Sequence, residues 1–187
     1  MRRLFLIAGL MTALGLAVVA ASAFAPANFA GAWSLDKAKS QGLSQGMMNA
    51  ESVTWTITQD DKQISIDSKV VAGAPPAGAT PAPGTGGGGG GRGGGGGPMG
   101  PRTFNLDGKE ATAEVQGGTN TTKATWSSDG KALELSSVRT GSRDGQEFKF
   151  TTVEKLSLSG DGKVLTVARH SESPRGPQDS TMVFNKQ

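Results

Sequence analysis

Leu156-Ser157-Leu158-Ser159-Gly160-Asp161-Gly162-Lys163-Val164-Leu165-Thr166-Val167 is the stretch from which the fold can be read. Apolar and polar residues alternate on both sides of Asp161-Gly162, the period of a half-buried strand. Asp-Gly supplies the positive φ angles of a tight hairpin turn, whose twist suits antiparallel strands. Folding the chain here sets Leu158 against Leu165, Leu156 against Val167 and Glu154 against Arg169. Turn pairs of the same kind lie upstream at Asp107-Gly108, Gly117-Gly118, Asp129-Gly130 and Asp144-Gly145.

Applied in order, these turns predict one register. Phe104 faces Ala111, Ala113 faces Thr122, Trp126 faces Leu133 and Ala124 faces Leu135. Leu133 then meets Leu156, and Arg139 meets Phe150. A slip of one residue would reverse the faces of a whole strand, yet apolar residues stay together across every pairing. The result is a meander of six strands, followed by a strand over 180–186 with Met182 and Phe184 on the apolar face. Upstream, Val53, Trp55 and Ile57 alternate with threonines, and Ile64 and Ile66 follow Asp60-Asp61. A turn there sets Ile57 against Ile64 and Trp55 against Ile66. Ala32 to Leu35 predicts a short strand, and 40–49 a loop or a brief helix. The expected fold is all-β, an antiparallel meander of nine to ten strands. Closure into a barrel would remove its exposed edges; a flattened β-sandwich is the alternative.

The ends and the middle of the chain have other compositions. Arg2 and Arg3 precede an apolar run from Leu4 to Ala20, and small residues follow. That is the pattern of a secretory signal peptide, with cleavage expected after Ala23. Residues 24–187 then form one domain, located in the periplasm or outside the cell, with no membrane span. Between Gly73 and Pro101 the chain is almost entirely Gly, Pro and Ala, with a hexaglycine and a pentaglycine around Arg92. Such a segment cannot bury enough apolar surface to offset its ordering entropy, so 73–101 reads as a disordered insertion within the domain.

Charge and composition exclude several functions. The pI of about 9.3 suggests a polyanion partner. Of 19 Lys and Arg, however, two belong to the leader, leaving 17 against 16 Asp and Glu. A mature charge near +1 offers no field for nucleic acid. One arginine among the glycines is too few for an Arg-Gly-rich nucleic-acid segment. With no cysteine, disulfides and thiolate metal sites are absent, and with one histidine no zinc site can be assembled. No metal and no cofactor is expected.

Phe29-Ala30-Gly31-Ala32-Trp33-Ser34-Leu35-Asp36 resembles the Gly-x-Trp start of lipocalins and the wider calycin group. It also resembles a set of small secreted bacterial domains that open with G-x-W-x-L-D and a nearby Lys-Ser, here Lys39-Ser40. The resemblance implies a lipocalin-like barrel in which Gly31 and Trp33 begin the first strand and the Trp lies across the closed end. It further implies carriage of a small ligand. The sequence departs from the pattern in lacking tyrosine and in offering Lys186 where an Arg would stack on the Trp.

The predicted register places chemistry on the inner face. Leu133, Leu135, Leu156, Leu158, Leu165 and Val167 lie towards the Trp126 end, where Trp126 itself packs in the core. Towards the other end come Asn120, Ser137, Thr152 and Ser171, with Arg139, Phe148, Phe150, Glu154 and Arg169. Those last five are the candidate ligand site, with apolar walls and a few polar groups to orient a small amphipathic molecule. Arg169, with Arg139 two strands away, would hold an acidic head while the tail lies on the leucines. Alternatively, Glu154 and Arg169 merely satisfy each other, because two inward charges need partners. His170 falls on the outer face with Glu172, and no Gly-x-Ser-x-Gly motif accompanies it, so no enzyme is expected. A filled barrel serving as an envelope structural or interaction module is the alternative function; no protein partner can be named.

Overall fold

The computed structural model describes residues 25–73, 101–143 and 145–187. The leader expected over 1–23, nearly all of the insertion expected over 73–101, and Asp144 of the Asp144-Gly145 turn lie outside them. Ten antiparallel strands form one sheet in the described residues. They are β1 (Gly31–Leu35), β2 (Ala50–Gln59), β3 (Gln63–Ala72), β4 (Arg102–Asn105), β5 (Ala111–Val115), β6 (Gly118–Trp126), β7 (Ala132–Arg143), β8 (Gln146–Leu158), β9 (Val164–Ser173) and β10 (Gly176–Lys186). A single turn of helix, α1 (Gln45–Asn49), precedes β2 and is capped by Ser44.

The strand order is β4-β3-β2-β1-β10-β9-β8-β7-β6-β5. The first strand therefore joins the last in the middle of the sheet, with Trp33 opposite Lys186 and Leu35 opposite Phe184. The two edges are β4 and β5, which are consecutive in the chain. They do not pair with each other, and the sheet curls into a nearly closed barrel.

Most predicted pairings are present: Leu158 faces Leu165, Glu154 faces Arg169, Leu133 faces Leu156, Arg139 faces Phe150 and Trp126 faces Leu133. Three are not. Phe104 faces Ile64 of β3, not Ala111, because β4 adds to the preceding hairpin. Ala113 faces Asn120, because the turn falls at Gln116-Gly117, with Gly117 at φ +80°. Gly118 already belongs to β6, where an added Cβ would strike the Thr140 carbonyl. Ile57 faces Ile66, because Asp60 closes the β2–β3 turn by accepting from the amides of Lys62 and Gln63, each at 2.8 Å. The last two differ from expectation by a two-residue shift, so every side chain keeps its face.

Two Asp-Gly turns are four-residue loops built alike, not two-residue ones. In Ser127-Ser128-Asp129-Gly130-Lys131 the Asp129 carboxylate accepts from Ser127 Oγ at 2.6 Å and from the Lys131 amide at 3.1 Å. In Ser159-Gly160-Asp161-Gly162-Lys163 the Asp161 carboxylate accepts from Ser159 Oγ at 2.5 Å and the Lys163 amide at 3.1 Å. The serine and aspartate side chains thus supply partners that a longer turn leaves open.

The core fills one half of the barrel. Phe29, Trp33, Trp55, Ile57, Ile64, Ile66, Phe104, Leu133, Leu135, Leu156, Leu165, Val167, Met182 and Phe184 are all buried in one cluster. At the opposite end, the inward positions hold Val70, Val115 and Phe150, which are 47 %, 36 % and 43 % exposed. The contrast is testable by urea unfolding. Leu156→Ala should cost about 3 kcal/mol as a core truncation. Phe150→Ala should cost less than about 1 kcal/mol, as expected of a side chain that fills no packed space.

Candidate functional site

The closed end is built around Trp33. Its indole Nε1 donates to the Phe29 carbonyl at 2.9 Å, and Phe29 stacks on the half-buried Trp126 with ring centroids 6.0 Å apart. Lys186 Nζ lies 5.3 Å from the Trp33 ring centroid, a cation over an aromatic face. Gly31 adopts φ +139°, and a Cβ there would sit 3.0 Å from Lys186 Cε. Gly31, Trp33, Trp126 and Lys186 thus form a plug, with no surface left for a ligand on Trp33.

Above the leucines sits a buried ion triad. Glu154 is 1 % exposed, and its Oε2 accepts from Arg102 Nη1 at 2.7 Å. Its Oε1 accepts from Arg169 Nε at 2.8 Å and also from Arg169 Nη2. Burial pushes the Glu154 carboxyl up, but the two adjacent guanidiniums outweigh it and hold it below its ordinary value of 4.5. The Arg102 guanidinium also stands 5.5 Å from the Trp55 ring centroid. Glu154 and Arg169 are brought together as their register predicts. Arg102 is the member that sequence reasoning missed, because it borders the Gly/Pro-rich stretch. The available signal was its i,i+2 relation to Phe104, which puts both on one face of a strand.

Beyond the triad, towards the open end, the next inward rung reads Thr122, Ser137, Thr152, Ser171 and Gln178 around β6 to β10. Ser137 Oγ donates to Asn120 Oδ1 at 2.9 Å. On the following rung, Arg139 faces Phe150 and is not part of the triad. Its Nη2 donates to the Gln116 carbonyl at 3.0 Å, while its buried Nε has no partner. Phe148 and Phe150 pack on each other with centroids 5.4 Å apart. Phe148 also covers Gly141, where an added Cβ would lie 2.8 Å from its ring. The two rings therefore pack on each other and on Gly141 at the rim. One expectation fails: the leucines cannot receive a ligand tail. Leu133, Leu135, Leu156 and Leu165 are at most 1 % exposed, packed among themselves beneath the triad.

On the outer wall, His170 Nδ1 lies 2.6 Å from Asp179 Oδ1 across the β9–β10 pair, and Nε2 lies 3.8 Å from Glu172 Oε1. The hydrogen bond to Asp179 raises the imidazole above its ordinary 6.5. Asp179 is thus the near carboxylate of His170, with Glu172 a second and more distant neighbour. A shallow groove of about 430 Å³, lined by Gly42, Lys155, Ala168 and Thr181, runs beside this pair. Among the described residues, no three His, Asp or Glu side chains are placed to hold a metal ion. No described helix is long and apolar enough to cross a membrane.

No family model and no curated protein matches the chain. Among solved structures, it is similar to the crystal structure of zebrafish ileal bile acid-binding protein complexed with cholic acid. The identity is 12 %, the TM-score 0.44, and the superposition covers 85 % of this chain and 98 % of that one.

Two titrations follow from these contacts. Because the folded-state pKa of Glu154 is depressed, its contribution to stability is complete above about 4.5 and is lost as pH falls through the lower folded value. Glu154→Gln should therefore flatten the acid limb of the stability profile below pH 4.5 and lower stability at neutral pH by about 3 kcal/mol, since it leaves two guanidiniums facing a neutral amide. An unchanged acid limb would show that the triad carries no such linkage. For His170 the sign is opposite, with its favourable charge present at low pH and lost as pH rises through the raised folded value. Imidazole shifts followed by NMR should give a midpoint above 6.5, moving back towards it in Asp179→Asn.

Proposed function

We propose that this chain is a non-catalytic, lipocalin-like binder of small amphipathic anions, held in the open half of the barrel. It would work in the periplasm or outside the cell after loss of residues 1–23. One observation carries the binding assignment. Among the described residues, the inward face presents the cations Arg102, Arg139 and Arg169 against the one carboxylate of Glu154, and this surplus adjoins the exposed apolar Val70, Val115 and Phe150.

Uncompensated cations beside a wall of exposed apolar groups are unfavourable for a protein with nothing to bind, and they match an anion with an apolar body. Barrel width supports the same assignment. Diameter grows with strand number, and eight strands already leave an interior that side chains only just fill. In ten strands, a rung of Thr122, Ser137, Thr152 and Ser171 leaves space that leucines or aromatics would have occupied. Arg139, Phe148, Phe150, Glu154 and Arg169 are the proposed lining, joined by Arg102.

Calorimetric titration of the mature protein with octanoate should show saturable binding of one molecule per barrel, and octanol should bind far more weakly. Arg102→Leu, which leaves Glu154 paired with Arg169, should weaken octanoate by at least about tenfold, the loss of one charge-assisted hydrogen bond. A folded barrel that gives no saturable heat with octanoate would instead be a filled interaction module.

A further inference from the structure

The triad does more than supply charge, because it divides the barrel. On its Trp33 side Trp55, Ile66, Phe104, Leu135 and Val167 are packed to 0–2 % exposure. No apolar surface is left below Glu154 for a chain to lie on. Directly above it come the hydroxyls of the Thr122 to Ser171 rung, and only then the aromatic rim. Polarity thus runs from charged base through hydroxyl belt to apolar rim, the reverse of a pocket that swallows a tail first.

Resting on the binding assignment above, we infer that the cargo is compact and enters head first. Its anion would meet the guanidinium edges of Arg102 and Arg169 that Glu154 leaves unused, and its apolar body would lie against Phe148, Phe150 and Val70. Phe148 lies six positions from Glu154 along β8. At about 3.4 Å per residue and a strand tilt near 40°, the space above the triad is about 15 Å deep. A short-chain or ring-shaped carboxylate or sulfate is accommodated there. A sixteen-carbon acyl chain would leave its last few methylenes in water.

A chain-length series separates this from the reading beneath it. From hexanoate to decanoate, calorimetric affinity should rise about fourfold per added methylene, as each becomes buried. From dodecanoate to hexadecanoate it should then stay level. A continued rise through hexadecanoate would overturn the depth limit while leaving anion binding intact. Absence of binding by every member would overturn both. Orientation is read from Trp55, which lies beside Arg102 at the base of the space. 2-Bromooctanoate should quench the fluorescence component lost in Trp55→Phe more strongly than 8-bromooctanoate, and the opposite order would overturn head-first entry.

Discussion

A carboxylate at 1 % exposure inside a β-barrel cannot stand alone, and Glu154 organises much of this fold through that requirement. Dehydrating an ion costs several kcal/mol even after local relaxation, so the carboxylate needs fixed cations. Arg169 reaches it from the adjacent strand. Arg102 comes from β4, a four-residue edge strand that belongs to the other arm of the sheet. Between β4 and β5 there is no ladder of backbone hydrogen bonds. The ion pair spans the interior instead, tying the β4 edge to β8. On this side the ion pair and the burial of Phe104 in the core hold β4 in place, where elsewhere strands are joined by backbone pairing.

The triad also marks a change in what fills the barrel. On one side, large apolar residues from eight strands meet Trp33 and its lysine-capped plug, a volume that excludes water. On the other, Ser and Thr occupy the rung where bulk would be needed, and Phe150, Val70 and Val115 stay exposed although their register points them inward. Side-chain size explains the difference. Large side chains pack to exclude water at one end of the sheet, while small hydroxyl side chains leave the inward positions partly exposed at the other. Stability therefore belongs to the closed end.

The long meander was legible because its pairings are local. Two leucine-rich strands either side of Asp161-Gly162 can pair in only one way that keeps Leu156, Leu158, Leu165 and Val167 on one face. The errors at Ile57 and Ala113 were slips of two residues, which alternation cannot detect, since both registers keep the same face. What corrected them was turn chemistry at Asp60 and Gly117. Arg102 was missed for a different reason: its partner Glu154 is 52 residues away, and no periodicity links them.

By itself the sequence determined the strands, their inward and outward faces, and the inward placement of Glu154, Arg139 and Arg169. Alternation and turn residues act over a few residues, and that range is enough to set a face. Only the tertiary structure decided that β1 joins β10, that β4 and β5 remain edges, and that Arg102 completes the triad. It alone showed the leucines already consumed by packing beneath Glu154, with the inward residues above it left partly exposed. Those facts depend on curvature, barrel width and contacts between distant strands, and space left unfilled is a property of the whole closed surface rather than of any segment.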